Sequence, residues 1–75
     1  MFDMMQCKIG DKLVTRDGTV AEFTVLIDSG QYPYLLSLPD GAWWTCTRDG
    51  RVYKNEDNHY DIVGFAPQDT PQVTP

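Results

Sequence analysis

Few side chains in this sequence are suited to acid–base or nucleophilic chemistry. His59 is the only histidine, and it lies in the acidic segment 55–61. A histidine can activate a cysteine or serine nucleophile, and Cys46 is the candidate here. Catalysis also needs a polarising neighbour and a concave pocket, for which the sequence carries no signature. We therefore predict that His59 is a solvated loop residue and that the chain is not an enzyme.

Metal-binding patterns are equally weak. Cys7 and Cys46 are the only cysteines, and they form neither a CxxC pair nor a Cys/His ligand set. The segment 55–61 is rich in carboxylate and amide oxygens, which calcium prefers, but it lacks the regular ligand spacing of a calcium loop. The sequence predicts no metal and no cofactor. Reduced thiols are expected, although a single disulfide stays an open alternative.

Aromatic residues are the most informative group, with six rings between Tyr32 and Tyr60. Neighbouring residues of a strand point to opposite faces, so only one of Trp43 and Trp44 can enter the core of a single sheet. If Trp44 packs inward with Cys46, Trp43 lies on the outer face. Tyr53, from the next predicted strand, can then stand beside it.

This outer pair predicts a contact site, because Trp, Tyr and Arg are the residues most enriched at binding hot spots. Two nearby acids can receive a Lys or Arg of a partner. The predicted partner-binding residues are Trp43, Arg48, Arg51, Tyr53, Asp57, Tyr60 and Asp61. Three alternatives stay open: the amino-terminal segment or the tail covers the exposed ring, a homodimer buries it, or unpaired bases stack on it.

The charge balance narrows the choice of partner. Eleven acidic and six basic residues give a net charge of −5, which repels phosphate backbones. Nucleic acid is therefore an unfavoured partner, and a basic protein surface is a possible one. Acidity of this degree is also common in soluble domains without any relation to a partner.

Strands, rather than helices, must position these residues. Apolar residues alternate with period two, most clearly in Ala21, Phe23, Val25 and Ile27, which should share one face. Asp-Gly dipeptides at positions 17–18, 40–41 and 49–50 predict three hairpin-like turns. The string TRDGxV occurs at two of these turns, which we interpret as convergent turn chemistry. The predicted strands are 12–15, 20–28, 34–38, 43–47, 51–54 and 62–65, with a further short strand around 4–8 and a single helical turn around 55–58.

A chain of 75 residues has room for one domain. We predict an all-β domain over 1–65, built as a single strongly bent antiparallel sheet or an SH3-like barrel of five to six short strands. Residues 66–75 hold three prolines and few core-forming side chains, and are predicted to form a flexible tail. The amino terminus lacks the basic and apolar regions of a signal peptide, and no stretch suits a membrane span, so a cytosolic location is expected.

Three segments, Ile9–Ala21, Trp44–Tyr53 and Tyr60–Gly64, resemble small uncharacterised proteins encoded by bacteriophages and prophages. Those proteins share a start like GDxVxTRDGxxA, a central WTxxGRxY and an ending DLVG. The resemblance implies a bacterial cytosol and an accessory role rather than a building block of the virion. It defines no catalytic residue. Ile62 replaces the leucine of the ending, which is a conservative change.

The leading functional hypothesis is an accessory protein that binds a host protein, modulating or inhibiting a host enzyme or a defence system. The first alternative is a small barrel that binds single-stranded nucleic acid through Trp43, Tyr53, Arg48 and Arg51. The second is a structural homo-oligomer whose sheets pair edge to edge.

Overall fold

Alternating apolar residues fold into one open, five-stranded antiparallel sheet in the computed structural model, which describes residues 2–27 and 30–67. The strands follow the order β4-β3-β2-β1-β5, so the last strand returns to pair with the first. This confirms the all-β prediction, and the small β-rich fold is consistent with an SH3-like barrel. The strands are β1 Lys12–Thr15, β2 Val20–Leu26, β3 Tyr34–Ser37, β4 Trp43–Cys46 and β5 Ile62–Phe65.

The predicted bounds of β1 and β5 agree with the structure, and β3 and β4 each end one residue earlier than predicted. The predicted strand 51–54 is wrong, because that segment contributes only an isolated bridge between Tyr53 and Glu56. The helical turn predicted at 55–58 is absent as well. One physical reason is that the Val52 N–H donates to the buried Asp61 carboxylate instead of to a neighbouring strand.

The three Asp-Gly turns share one hydrogen-bond pattern. In each, the glycine N–H donates to the carbonyl three residues earlier, as Gly18 does to Thr15 at 2.9 Å. The N–H of that earlier residue then donates to the carbonyl just after the glycine, as Thr15 does to Thr19 at 2.8 Å. This is the three-residue hairpin loop, in which only the glycine needs a positive φ.

The repeated TRDG string follows from the same turn. The Thr15 hydroxyl accepts the Thr19 N–H at 3.0 Å, and the Thr47 hydroxyl accepts the Arg51 N–H at 3.2 Å. The threonine at the turn entrance therefore accepts a backbone donor at the turn exit, and in the first turn the Asp17 carboxylate accepts the same N–H at 3.0 Å. This favours turn chemistry, rather than duplication of a segment, as the reason why the TRDG string occurs twice.

The core lies on the inner face of the sheet, as the alternation predicts for Ala21 and Phe23. The prediction fails at Val25, which is 44% exposed. A β-bulge between Phe23 and Val25 inserts one residue opposite β3, and a one-residue shift moves the following side chains to the other face. The buried hydrophobic cluster comprises Met4, Leu13, Ala21, Phe23, Tyr34, Leu36, Cys46 and Ile62.

The amino-terminal segment covers the core instead of adding a strand, so the strand predicted around 4–8 is wrong. Met4–Gln6 form one turn of 3₁₀ helix, capped by the Asp3 side chain, which accepts the Met5 N–H. Met4 is completely buried, and its N–H donates to the Arg48 carbonyl at 2.7 Å. The segment thus closes an opening that a sheet of this size leaves beside its core.

The two edge strands approach each other at one end. The Ile62 N–H of β5 donates to the Gly50 carbonyl at 2.8 Å, in the turn that follows β4. At the other end of β5, Ala66 is buried and donates to the Lys12 carbonyl at 2.9 Å. The rest of the predicted tail beyond Pro67 lies outside the described residues. Over the two described ranges, no helix has the length and hydrophobicity to cross a membrane.

Candidate functional site

A shallow groove of about 370 Å³ lies beside β4, and we call it the aromatic groove. The strand supplies three consecutive residues, and the segment after the third Asp-Gly turn supplies the opposite wall. Tyr32, from the loop before β3, closes one end, where its hydroxyl accepts the Lys54 N–H at 3.3 Å. The groove is lined by Tyr32, Trp43, Trp44, Thr45, Val52 and Tyr53.

The two tryptophans occupy different environments. Trp43 is 64% exposed, whereas Trp44 is partly buried and packs against the core. Cys46, two residues after Trp44 on the same face of the strand, is fully buried. The inward face of β4 therefore carries Trp44 and Cys46, and Trp43 lies on the outer face. The Trp44 indole N–H is buried and has no hydrogen-bond partner in the described part of the chain.

On the outer face of the sheet, the residues nearest Trp43 are uncharged. The first charged side chain in its row is Glu22, which lies opposite Ser37 and pairs with Lys12 at 3.8 Å. Leu35 lies opposite Val25 on one side and opposite Thr45 on the other. Ser37, the neighbour of Trp43 on β3, bonds through its hydroxyl to the Thr24 hydroxyl at 2.6 Å. The two hydroxyls satisfy each other, so they leave a surface that a partner can cover at low desolvation cost.

Tyr53 lines the aromatic groove with Trp43 and is 52% exposed, but it comes from an irregular segment and not from the predicted strand. Arg51 holds the backbone there, since its Nε donates to the Tyr53 carbonyl at 3.4 Å. The Arg51 side chain is only 17% exposed and pairs with Asp57 at 3.2 Å. Arg51 therefore positions Tyr53 instead of offering a free guanidinium to a partner.

Arg48 does not join the aromatic groove. Its side chain contacts the Met5 sulfur, and its carbonyl accepts the Met4 N–H. It lines a separate depression together with Gly30, Gln31 and other loop residues. The predicted group of two rings flanked by two arginines is thus divided between different parts of the surface.

Asp61 lies in the interior, 2% exposed. Its oxygens accept the backbone N–H groups of Val52 and Asn58, each at 3.0 Å, and the Arg16 Nη2 at 3.1 Å. Burial acts to raise the pKa of this carboxyl, but the two backbone bonds and the Arg16 guanidinium outweigh it and lower the pKa. Asp61 therefore has a structural role, holding the segment 52–61 in place, and is shielded from a partner's cation.

Asp57 is the exposed acid of the same cluster. Its carboxylate lies between Arg16 at 3.7 Å and Arg51 at 3.2 Å, with 75% of its side chain exposed. Arg16 was missed as a member of this cluster by sequence reasoning. The repeated TRDG string singles out Arg16, but nothing in it indicates a contact with residues more than forty positions away.

Tyr60 supports the groove from behind. Its ring stacks on Trp44 with the centroids 4.7 Å apart and the planes 14° apart. The His59 ring also contacts Tyr60, with the ring centroids 4.2 Å apart and the planes 43° apart. Tyr60 is half-buried, so its contribution is to fix Trp44, which forms part of the groove wall.

The thiols are in environments that disfavour nucleophilic chemistry. Burial and the neighbouring Cys7 and Asp61 raise the pKa of Cys46 to about 12. Burial, Asp11 and Asp3 raise the pKa of Cys7 to about 11. A thiolate is therefore scarce at neutral pH at either position. Within residues 2–27 and 30–67, no three His, Cys, Asp or Glu side chains converge as metal ligands would.

A second, larger depression of about 530 Å³ is lined by residues of the amino-terminal segment and of β5. Arg16, Arg51 and Asp61 reach its wall, and these are the groups already joined by the ion pairs described above. Asp3 and Asp49 add negative charge to the same wall. Because its charged side chains are largely paired with one another or with neighbours, this depression is a weaker candidate contact site than the aromatic groove.

Comparison of the chain with protein-family models, with curated proteins and with solved structures found no match. The candidate site is accordingly defined by its own geometry.

Proposed function

We propose that this chain is a non-enzymatic accessory protein of a bacteriophage or prophage, and that it binds a host protein through the aromatic groove. The observation that carries the proposal is the exposure of Trp43, 64%, beside Tyr53 at 52%. Two large exposed rings on the walls of one groove resemble the anchors that dominate protein interfaces. The phage origin rests on the sequence resemblance alone.

The rigidity of the groove supports this proposal. Trp44 is fixed by Tyr60, and the Tyr53 backbone is fixed by Arg51. Preorganised contact residues lose little conformational entropy on binding, which raises affinity for a given area. A second element of support is the thiol environment, because raised pKa values of both cysteines make covalent catalysis an unfavourable alternative.

Electrostatics favour a protein over single-stranded nucleic acid. Of the arginines proposed to touch phosphates, Arg51 is ion-paired with Asp57, and Arg48 lies outside the groove. The net charge of −5 adds a repulsion that phosphate contacts would have to overcome.

Capture from bacterial lysate tests the proposal. Tagged wild-type protein is expected to retain a host protein in near-stoichiometric amount, and Trp43→Ala is expected to lose it. Removing a central aromatic anchor typically costs about 2–4 kcal/mol of binding, at least a thirty-fold loss of affinity. The captured protein, once purified, should reproduce this loss in a binary titration.

Ile9→Ala is the matched control, because Ile9 is also 64% exposed and lies outside the groove. It should retain the partner as the wild type does. Equal capture by the wild type and Trp43→Ala, or recovery of the chain itself as a dimer that buries Trp43, would contradict the proposal.

A further inference from the structure

The unpaired charges of the described surface are mostly acidic. All six bases lie in the described part of the chain, and three of them are committed to acids: Lys12 to Glu22 at 3.8 Å, Arg16 to Asp61 at 3.1 Å and Arg51 to Asp57 at 3.2 Å. Nine of the eleven acids lie in the described part of the chain. The field that a partner meets is therefore negative, although the basic residues are not few.

The aromatic groove lies within this negative field. Its lining residues carry no charge themselves. Asp40 lies in the turn that begins β4, where it accepts the Ala42 N–H at 2.9 Å. Glu56 is bridged to Tyr53 on the opposite wall. Arg51 and Lys54 are the bases adjacent to the lining residues in the chain. Arg51 is paired with Asp57, so among the described residues the unpaired acids Asp40 and Glu56 outnumber the one unpaired base, Lys54.

We propose that the aromatic groove binds an extended segment of the partner through an arginine or lysine side chain that lies over the rings of Trp43 and Tyr53. This inference rests on the proposed function and specifies its partner. A cation is attracted to the face of an aromatic ring, most strongly to tryptophan, and the surrounding acids add to the attraction. The shallow groove beside a strand suits an extended chain better than a helix, which needs a wider channel.

Two peptides that differ only in charge test the inference. Ac-SVRVRVS-NH2 places two arginines on one face of an extended chain, and the matched peptide has citrulline, which is nearly isosteric and neutral, in both places. Indole N–H resonances of the two tryptophans, assigned with Trp43→Phe, report binding separately at each ring. The arginine peptide is expected to shift the Trp43 signal and to bind about ten-fold tighter than the citrulline peptide.

Added salt should weaken the arginine peptide more than the citrulline peptide, because part of the attraction is long-range. Trp43→Ala should abolish binding of the arginine peptide, and Ile9→Ala should leave it unchanged. Equal affinity for both peptides, or no shift at Trp43, would overturn the inference. Tighter binding of the glutamate peptide Ac-SVEVEVS-NH2 or of an eight-nucleotide oligothymidine would overturn it too.

The two proposals can fail separately. If the captured host protein depends on Trp43 but the citrulline peptide binds as well as the arginine peptide, the proposed function survives and the basic partner segment is wrong. If lysate capture does not depend on Trp43, the proposed function itself fails.

Discussion

Replacing Asp61 with asparagine is expected to remove a large share of the protein's stability. The carboxylate is the acceptor for Val52, Asn58 and Arg16 at one buried point. Asparagine keeps one acceptor oxygen and cannot serve both backbone donors and the guanidinium, and a buried donor left unpaired costs about 1–3 kcal/mol. Arg16 is 49% exposed, so water replaces part of the lost ion pair. A loss of this size is a large share of the roughly 3–5 kcal/mol that the core of so small a domain contributes. Urea titration followed by circular dichroism measures the loss.

Asp57→Asn is the control for this experiment. Asp57 pairs with the same Arg16, but 75% of its side chain is exposed, and surface pairs contribute about 0–1 kcal/mol. A variant at Asp61 that is no less stable than the Asp57 variant would contradict the structural role of Asp61.

The effect of Asp61→Asn should depend on pH. Because the folded pKa of Asp61 lies below its ordinary value of 3.8, its contribution to stability is present above about pH 4 and is lost as the pH falls through the folded pKa. The difference in unfolding free energy between wild type and Asp61→Asn should therefore be constant near neutrality and shrink in acid. A difference that grows in acid would contradict this sign.

Gly50→Ala is expected to destabilise the fold more than the same change in a sister turn. Gly50 has a φ of +79°, and a Cβ there would lie 3.0 Å from the Ile62 Cβ and 3.1 Å from the Ile62 carbonyl oxygen. Positive φ costs a residue with a side chain about 1–2 kcal/mol. Crowding against Ile62 adds about 1–3 kcal/mol, since β5 must shift where it meets the turn.

Gly41→Ala is the control without crowding, because Gly41 belongs to the same kind of turn and has a φ of +96°, but has open space where a Cβ would lie. It should lose only the backbone contribution. The difference between the two variants gives the cost of crowding at Gly50. Thermal or urea unfolding of both variants, compared with wild type, gives the two losses. Equal losses would show that the contact between this turn and β5 is looser than the structure indicates.

Much of the fold follows from patterns that are local in the sequence. Alternation and the Asp-Gly turns predict all five strands because each pattern lies within a few residues of the strand it specifies. The β-bulge after Phe23 is not predictable in this way, since Thr24 and Val25 suit either register. The burial of Met4 cannot be predicted from the sequence either, because the space that its side chain fills exists only once the sheet has formed.

In the candidate site, too, local sequence patterns predict some features, whereas contacts between distant segments are not predictable from them. Trp43 is predictable as an outward ring because strand alternation decides which face it occupies. Tyr53 reaches the same groove from an irregular segment, so alternation does not account for its position. Asp61 and Arg16 meet across 45 positions, so their ion pair depends on how the first turn docks against the last loop. The three acids of segment 55–61 are equivalent in sequence, yet Asp61 is buried and the other two are exposed, because only Asp61 accepts the N–H groups of Val52 and Asn58.

The proposed function depends most on Trp43 being open in the free protein while Trp44 is packed. Trp44→Phe leaves Trp43 as the single tryptophan, and Trp43→Phe leaves Trp44. Acrylamide quenching of the two variants is expected to be several-fold stronger for Trp43, with protection of Trp43 when the purified partner is added. A Trp43 that is as protected as Trp44 in the isolated protein would contradict the account.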